Sequence, residues 1–543
     1  MKKMISTLLL LSLLAGALCA CNTPKNTSED ALPSSPIQDS SSSAPATESA
    51  SQEKQSTPEE DAGINAPVIS EEDKAAFKDQ TVKFLVPGDQ SGITARSIAL
   101  GDHDDDSDPV NKALAARNEK ILSELGVKIE VSEYEGSDPA SALLPILAAD
   151  SSSYDVICTN SYLDSTFLLE NLVGLAYLSG ENSRYLNTDA PYWQNAFAEI
   201  DAAVFLTGGY HLPAASDFAV VYANGAFFDE NAQKIAALEE AHGISDPYEL
   251  VNKGYWTMDL FAKLCALAHS DENDNGTVDG EDHTGLLVYQ SSLQNRFIDD
   301  LAFGCGVRYT AMTEEHLLSS TLQESKTTAF FSKLYTLLCQ SNTLEAAYDG
   351  ENGPFAAKRF EEGKLVFAID TLTSAQSYSS NTDAFETLIL PLPLFDGAQY
   401  NADLDGKGYL TSLSEGTATH QIAICKNAGK ERLPLITATL EYMAYYTYTD
   451  VLPVYYDTLL DGEYTAKGKK AEMVDLIRAG LAVNTEHAWG DTLCSATHGI
   501  RKGYSSLLSD SAVKDLHRAH QATVNGFNDA FLKEHHVCPV HPN

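Results

Sequence analysis

The sequence predicts an α/β protein of two lobes joined by a hinge, each lobe a mainly parallel sheet flanked by helices. Three observations carry this. Between Val82 and Cys158, short apolar runs alternate with amphipathic runs of helical spacing, the order that builds a parallel, doubly wound sheet. After a low-complexity N-terminal stretch, ~460 residues remain, more than one hydrophobic core ordinarily supports. Hydrophobic residues make up 43% of the chain, enough to fill two cores.

The N-terminus stands apart from that body. Lys2 and Lys3 precede an apolar run from Leu8 to Leu14, followed by small residues and a cysteine, the order of a secretory signal. The run is shorter than the ~20 apolar residues a membrane span needs. Leu18, Cys19, Ala20 and Cys21 resemble a bacterial lipobox, so residues 1–20 are expected to be a lipoprotein signal peptide and Cys21 the lipidated mature N-terminus. The alternative is a plain secretory signal cut near Ala20. Residues 21–79 are dense in Ser, Thr, Pro, Glu and Ala, with no aromatic residue before Phe77. Such a stretch buries too little apolar surface to offset its ordering entropy and reads as a disordered tether, reaching on the order of 40 Å.

The body opens with a strand from Val82 to Val86, closed by Pro87 and Gly88. Asp108 caps a helix with Pro109 at its first position, and Val110, Leu114, Ile121 and Leu125 line one face up to Gly126. Val127, Ile129 and Val131 alternate as a strand, Asp138 and Pro139 start a second helix, and Val156 to Cys158 make a third strand. Ligand crevices of such sheets lie at the carboxyl ends of strands, which singles out Asn160. A second region begins near Phe218 with a strand Ala219–Tyr222 and a helix capped by Thr257. Helical stretches follow around Leu293–Phe303 and Thr327–Leu338, strands at Leu365–Ile369 and Leu388–Leu394, and a helical last third from Leu433.

These segments occur in an order that resembles the extracellular solute-binding proteins of ABC importers, family 1-like lipoproteins that include sugar binders. The resemblance spans roughly Thr81 to Phe531 and rests on Asp108-Pro109-Val110-Asn111-Lys112-Ala113 with Arg117-Asn118, Tyr192-Trp193, Val220 to Asn224 and Trp256-Thr257. It continues through Gly363 to Ile369, Pro391-Leu392-Pro393 and Tyr455 to Leu460. The chain departs at Asn224-Gly225, where the family more often has Asn followed by Lys. The resemblance implies a type II periplasmic-binding-protein-like fold with discontinuous lobes, 80–217 with 370–425 and 218–369 with 426–543. It also implies a monomer anchored at the outer face of the cytoplasmic membrane that closes on a small solute and meets permease subunits. An oligosaccharide is the expected solute. A peptide, or a surface sensor or adhesin without transport, is the alternative.

Sugar sites set aromatic faces against ring faces and carboxylates or amides against hydroxyls. The candidate ligand residues are therefore Asn160, Trp193, Asp217, Tyr222, Asp370 and Trp489, with helix capping the alternative role of Asn160 and Asp370. Residues 271–282 match the calcium loop of an EF-hand, with Asp271, Asn273, Asn275, Asp279 and Asp282 at places 1, 3, 5, 9 and 12, a carbonyl from Thr277 and the turn at Gly276. Asp282 replaces the longer bidentate Glu. A structural Ca²⁺ is expected there; a solvated turn is the alternative. The late histidines from His517 to His541 match no zinc spacing.

Composition closes off other classes. A formal charge of −41 is incompatible with a nucleic-acid surface. Seven scattered cysteines follow Cys21, which excludes a disulfide scaffold. No Gly-x-Ser-x-Gly elbow, His-Glu-x-x-His helix or phosphate loop occurs, so no enzyme is expected. Limited proteolysis of the intact protein is expected to cut first within residues 22–79 and leave a compact core; mass spectrometry of the first fragments checks this.

Overall fold

The computed structural model describes residues 64–87, 108–134, 141–143, 145–146, 153–159, 172–173, 184–187, 190–193, 197–200, 203–206, 215–290, 294–315, 317–347, 355–379, 384–401, 408–414, 421–425, 428–482, 484, 486–487, 493 and 495–529. Cys21, Asn160 and Trp489 lie outside them. Residues 64–79, expected to belong to the disordered tether, are structured instead: helix α1 (Glu71–Phe77) is capped by Ser70, Ile69 and Phe77 bury themselves in the first core, and β1 (Thr81–Pro87) follows. Local chemistry starts α2 (Pro109–Leu125): Asp108 Oδ1 accepts the Val110 N–H at 2.8 Å, and Gly126 ends the helix at φ 70°, a left-handed turn that suits glycine. Strands β2 (Lys128–Tyr134) and β3 (Val156–Thr159) come next, then the short β4 (Leu172–Val173), β5 (Phe197–Ile200) and β6 (Ala203–Leu206).

All six residues of β7 (Ala219–Asn224) are buried, which requires cover on both faces. Asn224 then caps the next helix by accepting the Ala226 N–H at 3.0 Å. Helix α3 (Met258–Leu267) starts at Thr257, as its sequence predicts. Strand β8 (Leu287–Tyr289), α4 (Phe297–Gly304), α5 (Phe355–Glu361), β9 (Phe367–Thr371), β10 (Thr387–Leu390) and β11 (Gln421–Cys425) follow. The last third carries α6 (Leu433–Tyr446), α7 (Leu452–Leu459) and α8 (Ser495–Gly503).

Two main sheets with separate cores result, inside one compact unit from Ile64 to Asn543. The first runs β2-β1-β3-β11-β6-β5, with β4 also on β11. Strands β2, β1 and β3 are parallel, Phe84 lying opposite both Val131 and Val156, while β11 returns antiparallel with Ile422 opposite Cys158. The second runs β9-β7-β10 and is antiparallel throughout, with Asp370 opposite Val220 and Ile389 opposite Tyr222. Parallel pairing thus governs the strands whose helical crossovers are legible in sequence; strand direction elsewhere is set by which edge the chain returns to.

The cores also divide the chain differently from the boundaries expected at 370 and 426. Strands β9 and β10 flank β7 in the second sheet, and among the described residues of the segment 370–425 only β11 joins the first. Helix α6 packs on the first core with Leu435, Ile436, Leu440 and Met443, whereas Met473, Ile500 and Leu507 belong to the second. Between them, α2 places Leu114 in a third cluster with Val451 and Tyr456, and Ile121 and Leu125 in the first. Arg117, fully buried on the same helix, donates through Nη1 to Thr447 Oγ1 at 3.0 Å, where α6 gives way to a wider turn before α7.

One buried carboxylate organises the first core. Glu441, on α6, is 1% exposed and accepts from Tyr192 Oη at 2.6 Å, from Trp193 Nε1 and from the Asn187 N–H at 3.1 Å. Burial raises its carboxyl pKa, and these three donors oppose that rise. Replacing Glu441 by Ala is expected to strand the three donors and destabilise the protein by about 3 kcal/mol, while Glu441→Gln, which keeps an acceptor, costs about 1 kcal/mol. Urea midpoints of the two variants check the difference.

Candidate functional site

Beside the end of β9 lies a cavity of about 340 Å³. Tyr289, Phe297 and Tyr378 give it aromatic walls, and Gln294, Arg296, Asp300, Asp370, Thr371, Ser414 and His487 give it polar ones. Each wall has a local cause. Asn295, 1% exposed, accepts the Tyr289 N–H at 2.8 Å and donates to the Tyr289 carbonyl at 2.7 Å, pinning the loop that presents Gln294 and Arg296. The Ala356 N–H at the start of α5 donates to Tyr289 Oη at 3.2 Å.

Asp370 sits where β9 ends and turns back on itself: its Oδ1 accepts the Thr371 N–H at 2.7 Å and its Oδ2 accepts from Tyr378 Oη at 3.1 Å. Burial raises its pKa against these bonds. Tyr378 stacks on Tyr222 with ring centroids 4.3 Å apart and 16° between planes, and Tyr222 Oη donates to the Thr371 carbonyl at 2.8 Å. Tyr222 is 0% exposed, so it supports the wall from behind.

Asp300 and His487 continue the lining and border a buried ionic cluster. Asp299 and Asp300 are consecutive in the otherwise apolar α4. Asp299 Oδ2 accepts from Arg501 Nε at 2.6 Å and from Arg501 Nη2, and His487 Nε2 lies 3.8 Å from the same oxygen. His487 Nδ1 lies 3.0 Å from the Leu413 carbonyl. Burial pulls the His487 pKa down, but Asp299, Asp300 and that carbonyl outweigh it and the imidazole ends above its ordinary value. Asp300 has its carboxyl pushed up to about 7, by burial first and by Asp299, against His487, Arg501 and Arg296.

Of the sequence candidates, the fold brings Asp370 and Tyr222 together. Asp217 lies to the side, accepting from Ser414 Oγ at 2.5 Å and so touching the cavity through Ser414. Trp193 is 0% exposed in the first core, where its indole is engaged by Glu441; a side chain so enclosed offers no face to a solute. The walls that sequence reasoning passed over are Tyr289, Arg296, Asp300, Tyr378, Ser414 and His487. A signal existed for Asp300 alone, since two adjacent acids in the run Phe297–Gly304 interrupt an apolar helix.

The acidic loop lies between α3 and β8. Asp271 accepts the Asn275 and Gly276 N–H groups at 3.2 and 2.8 Å, and Asp279 Oδ2 accepts from Asn273 Nδ2 at 3.1 Å and Asn275 Nδ2 at 2.6 Å. Asp274 and Gly276 take φ 54° and 73° to make the turn. Asn273 and Asn275 thus turn their amide N–H groups toward Asp279, while their oxygens accept the N–H groups of Asn275 and Thr277. Asp282 does not join them: it is 0% exposed and accepts the Glu272 and Asp279 N–H groups at 3.1 and 2.9 Å. Arg359 clamps the loop by donating to the carbonyls of Gly280 at 2.7 Å and Asp282 at 2.6 Å. Among the described residues no group of three His, Cys, Asp or Glu side chains is placed to hold a metal, so any cation here would depend on the amide oxygens of Asn273 and Asn275.

No family model and no curated sequence matches the chain. Solved structures do. The sugar-binding protein MalE from the phytopathogen Xanthomonas citri is similar over 83% of this chain and 99% of its own, at 11% identity and a TM-score of 0.52. The cyclic alpha-maltosyl-1,6-maltose binding protein from Arthrobacter globiformis is similar over 82% and 99% at 12% identity, and M. tuberculosis UspC over 82% and 99% at 13%, each with a TM-score of 0.48. The chain has the α/β fold of the Xanthomonas citri protein.

Proposed function

We propose that this chain is the extracytoplasmic solute-binding component of an ABC importer and that it captures an oligosaccharide in the cavity beside β9. The observation that carries the reading is the composition of that cavity within this fold: aromatic walls from Tyr289, Phe297 and Tyr378 face carboxylates, an amide and a guanidinium, the pairing that rings and hydroxyls require. Its ~340 Å³ lies at the small end of the range for small-molecule sites. The likeness to the Xanthomonas citri protein, whose name states that it binds sugar, supports the same class of solute.

The solute is held by side chains that bond and orient; no bond of it is broken. Asp370 accepts from hydroxyls, Arg296 and Gln294 donate to ring and hydroxyl oxygens, and the tyrosine faces cover apolar ring faces. Lobe closure brings the first lobe over this surface, and the closed form is favoured only by the contacts it adds. Lipidation at Cys21 holds the protein at the outer membrane face, where it meets the permease subunits. Among the described residues no helix is long and apolar enough to cross a membrane.

A thermal-shift screen of mono-, di- and oligosaccharides against short peptides tests the solute class. A sugar at 100 times its Kd is expected to stabilise the protein by about 2.7 kcal/mol, seen as a rise in Tm. Asp370→Ala is expected to weaken that sugar at least about tenfold, the loss of one charge-assisted bond. Stabilisation by peptides and by no sugar overturns the reading.

The loop 271–282 is proposed to hold a structural Ca²⁺ through Asp271, Asn273, Asn275, the Thr277 carbonyl and Asp279, with Asp282 turning outward from its N–H partners to complete the set. Its role is to fix the connection from α3 to β8. Millimolar calcium is expected to raise the Tm, EGTA to reverse the rise, and Asp271→Ala to abolish it; an unchanged Tm in wild-type protein ends the proposal.

A further inference from the structure

The fold leaves a carboxyl of the cavity with its surroundings incomplete. Asp299 has its charge answered by Arg501 through two guanidinium nitrogens. Its neighbour Asp300 is 9% exposed, lines the cavity, and has an Oδ1 with no hydrogen-bond partner and no ion pair among the described residues. The charged groups around it come from several elements: Asp299 on its own helix, Arg296 just before that helix, His487 in the cavity lining, Arg501 from α8 and Asp370 from β9. Two of the cations among them, Arg501 and His487, lie against Asp299, and the third, Arg296, acts on Asp300 through space without forming an ion pair with it among the described residues. An anionic Asp300 is therefore held in place with one oxygen unmet.

A solute that fills the cavity removes the water still facing this carboxyl. An uncharged solute brings no compensating charge, so the anionic form loses more hydration than the acid does. We propose that solute capture in this cavity is proton-linked through Asp300, the protonated pocket being the form that holds an uncharged solute. The proposal rests on the reading of the cavity as the solute site. The proton comes from bulk water onto an Asp300 oxygen, and no bond of the solute changes. The elevated pKa of the carboxyl, pushed up to about 7, sets the range in which the linkage operates. Affinity is then steady below neutrality and falls as pH rises above it, approaching about tenfold per pH unit for one proton.

Two measurements test it. Titration calorimetry at pH 8 uses the sugar giving the largest shift in the screen, in buffers of different ionisation enthalpy. The wild-type protein is expected to take up close to one proton per sugar, and Asp300→Asn, a neutral isostere, to take up none and to bind with an affinity independent of pH. Proton release, absence of exchange in the wild type, or a pH slope that survives in Asp300→Asn overturns the proposal. The second measurement needs no solute. An acid whose folded pKa is raised from 3.8 to about 7 loses stability as pH climbs between those values. The Tm of Asp300→Asn minus that of wild type is thus expected to rise from pH 4 to about 7 and then level off. A difference that is constant across that range overturns the proposal even where a sugar binds, whereas the expected rise with no sugar binding leaves the protonation in place and sinks the solute reading alone.

Discussion

Arg501 can neutralise only one of two adjacent carboxylates, and the chemistry of the cavity depends on that limit. Its guanidinium reaches Asp299 across 202 residues of sequence and ties α8 to α4. Buried charges are tolerated where such pairing is complete, and removing one partner exposes the full desolvation cost of the other. Asp299 is paired through its Oδ2, while its buried Oδ1 has no hydrogen-bond partner among the described residues. Asp300, one residue further round the helix, lines the cavity instead, where Arg296 and His487 act on it through space and no described residue pairs with it. His487 adds to this arrangement, since its imidazole is held by the Leu413 carbonyl on one side and drawn to Asp299 on the other.

The wall around Asp370 rests on aromatic stacking. Tyr222 is locked in the middle strand of the second sheet, Tyr378 stacks on it, and Asp370 is oriented by the Tyr378 hydroxyl and by its own Thr371 N–H. The cavity therefore sits between a rigid aromatic support and an ionic cluster, each supplied by segments distant in sequence. Shared elements connect this lobe to the first sheet: α2 contributes to two hydrophobic clusters, and Arg117 bonds Thr447 at the turn between α6 and α7. A closing motion would have to bend the chain near such crossings, because the clusters on either side are densely packed.

Several features were legible in the residues because they arise from short-range chemistry. The Asp108 cap with Pro109, the Thr257 cap, the Gly126 stop and the parallel trio β1, β2 and β3 stand as expected. Asp370 was legible as a strand-end residue, and it lines the cavity. Trp193 was misleading for a physical reason: an indole beside Pro191 looks like a ligand platform until its N–H is seen to meet Glu441, which lies 248 residues away and gives no sign in sequence that it is buried. The segment boundaries at 370 and 426 failed similarly, since an apolar strand carries no mark of which sheet edge it will join.

By itself the sequence determined the α/β class, the helix starts and stops, the short strand at β7 and the loop with the spacing of a cation site, all features fixed by neighbours within about five residues. Only the tertiary structure decided that β9 and β10 flank β7 antiparallel, that α6 belongs to the first core, and that Asp300, Asp370, Tyr289 and His487 line one cavity. Those outcomes depend on contacts across scores to hundreds of residues, where the choice among sheet edges and cores is made by packing and by which charges find partners, and no local pattern records either.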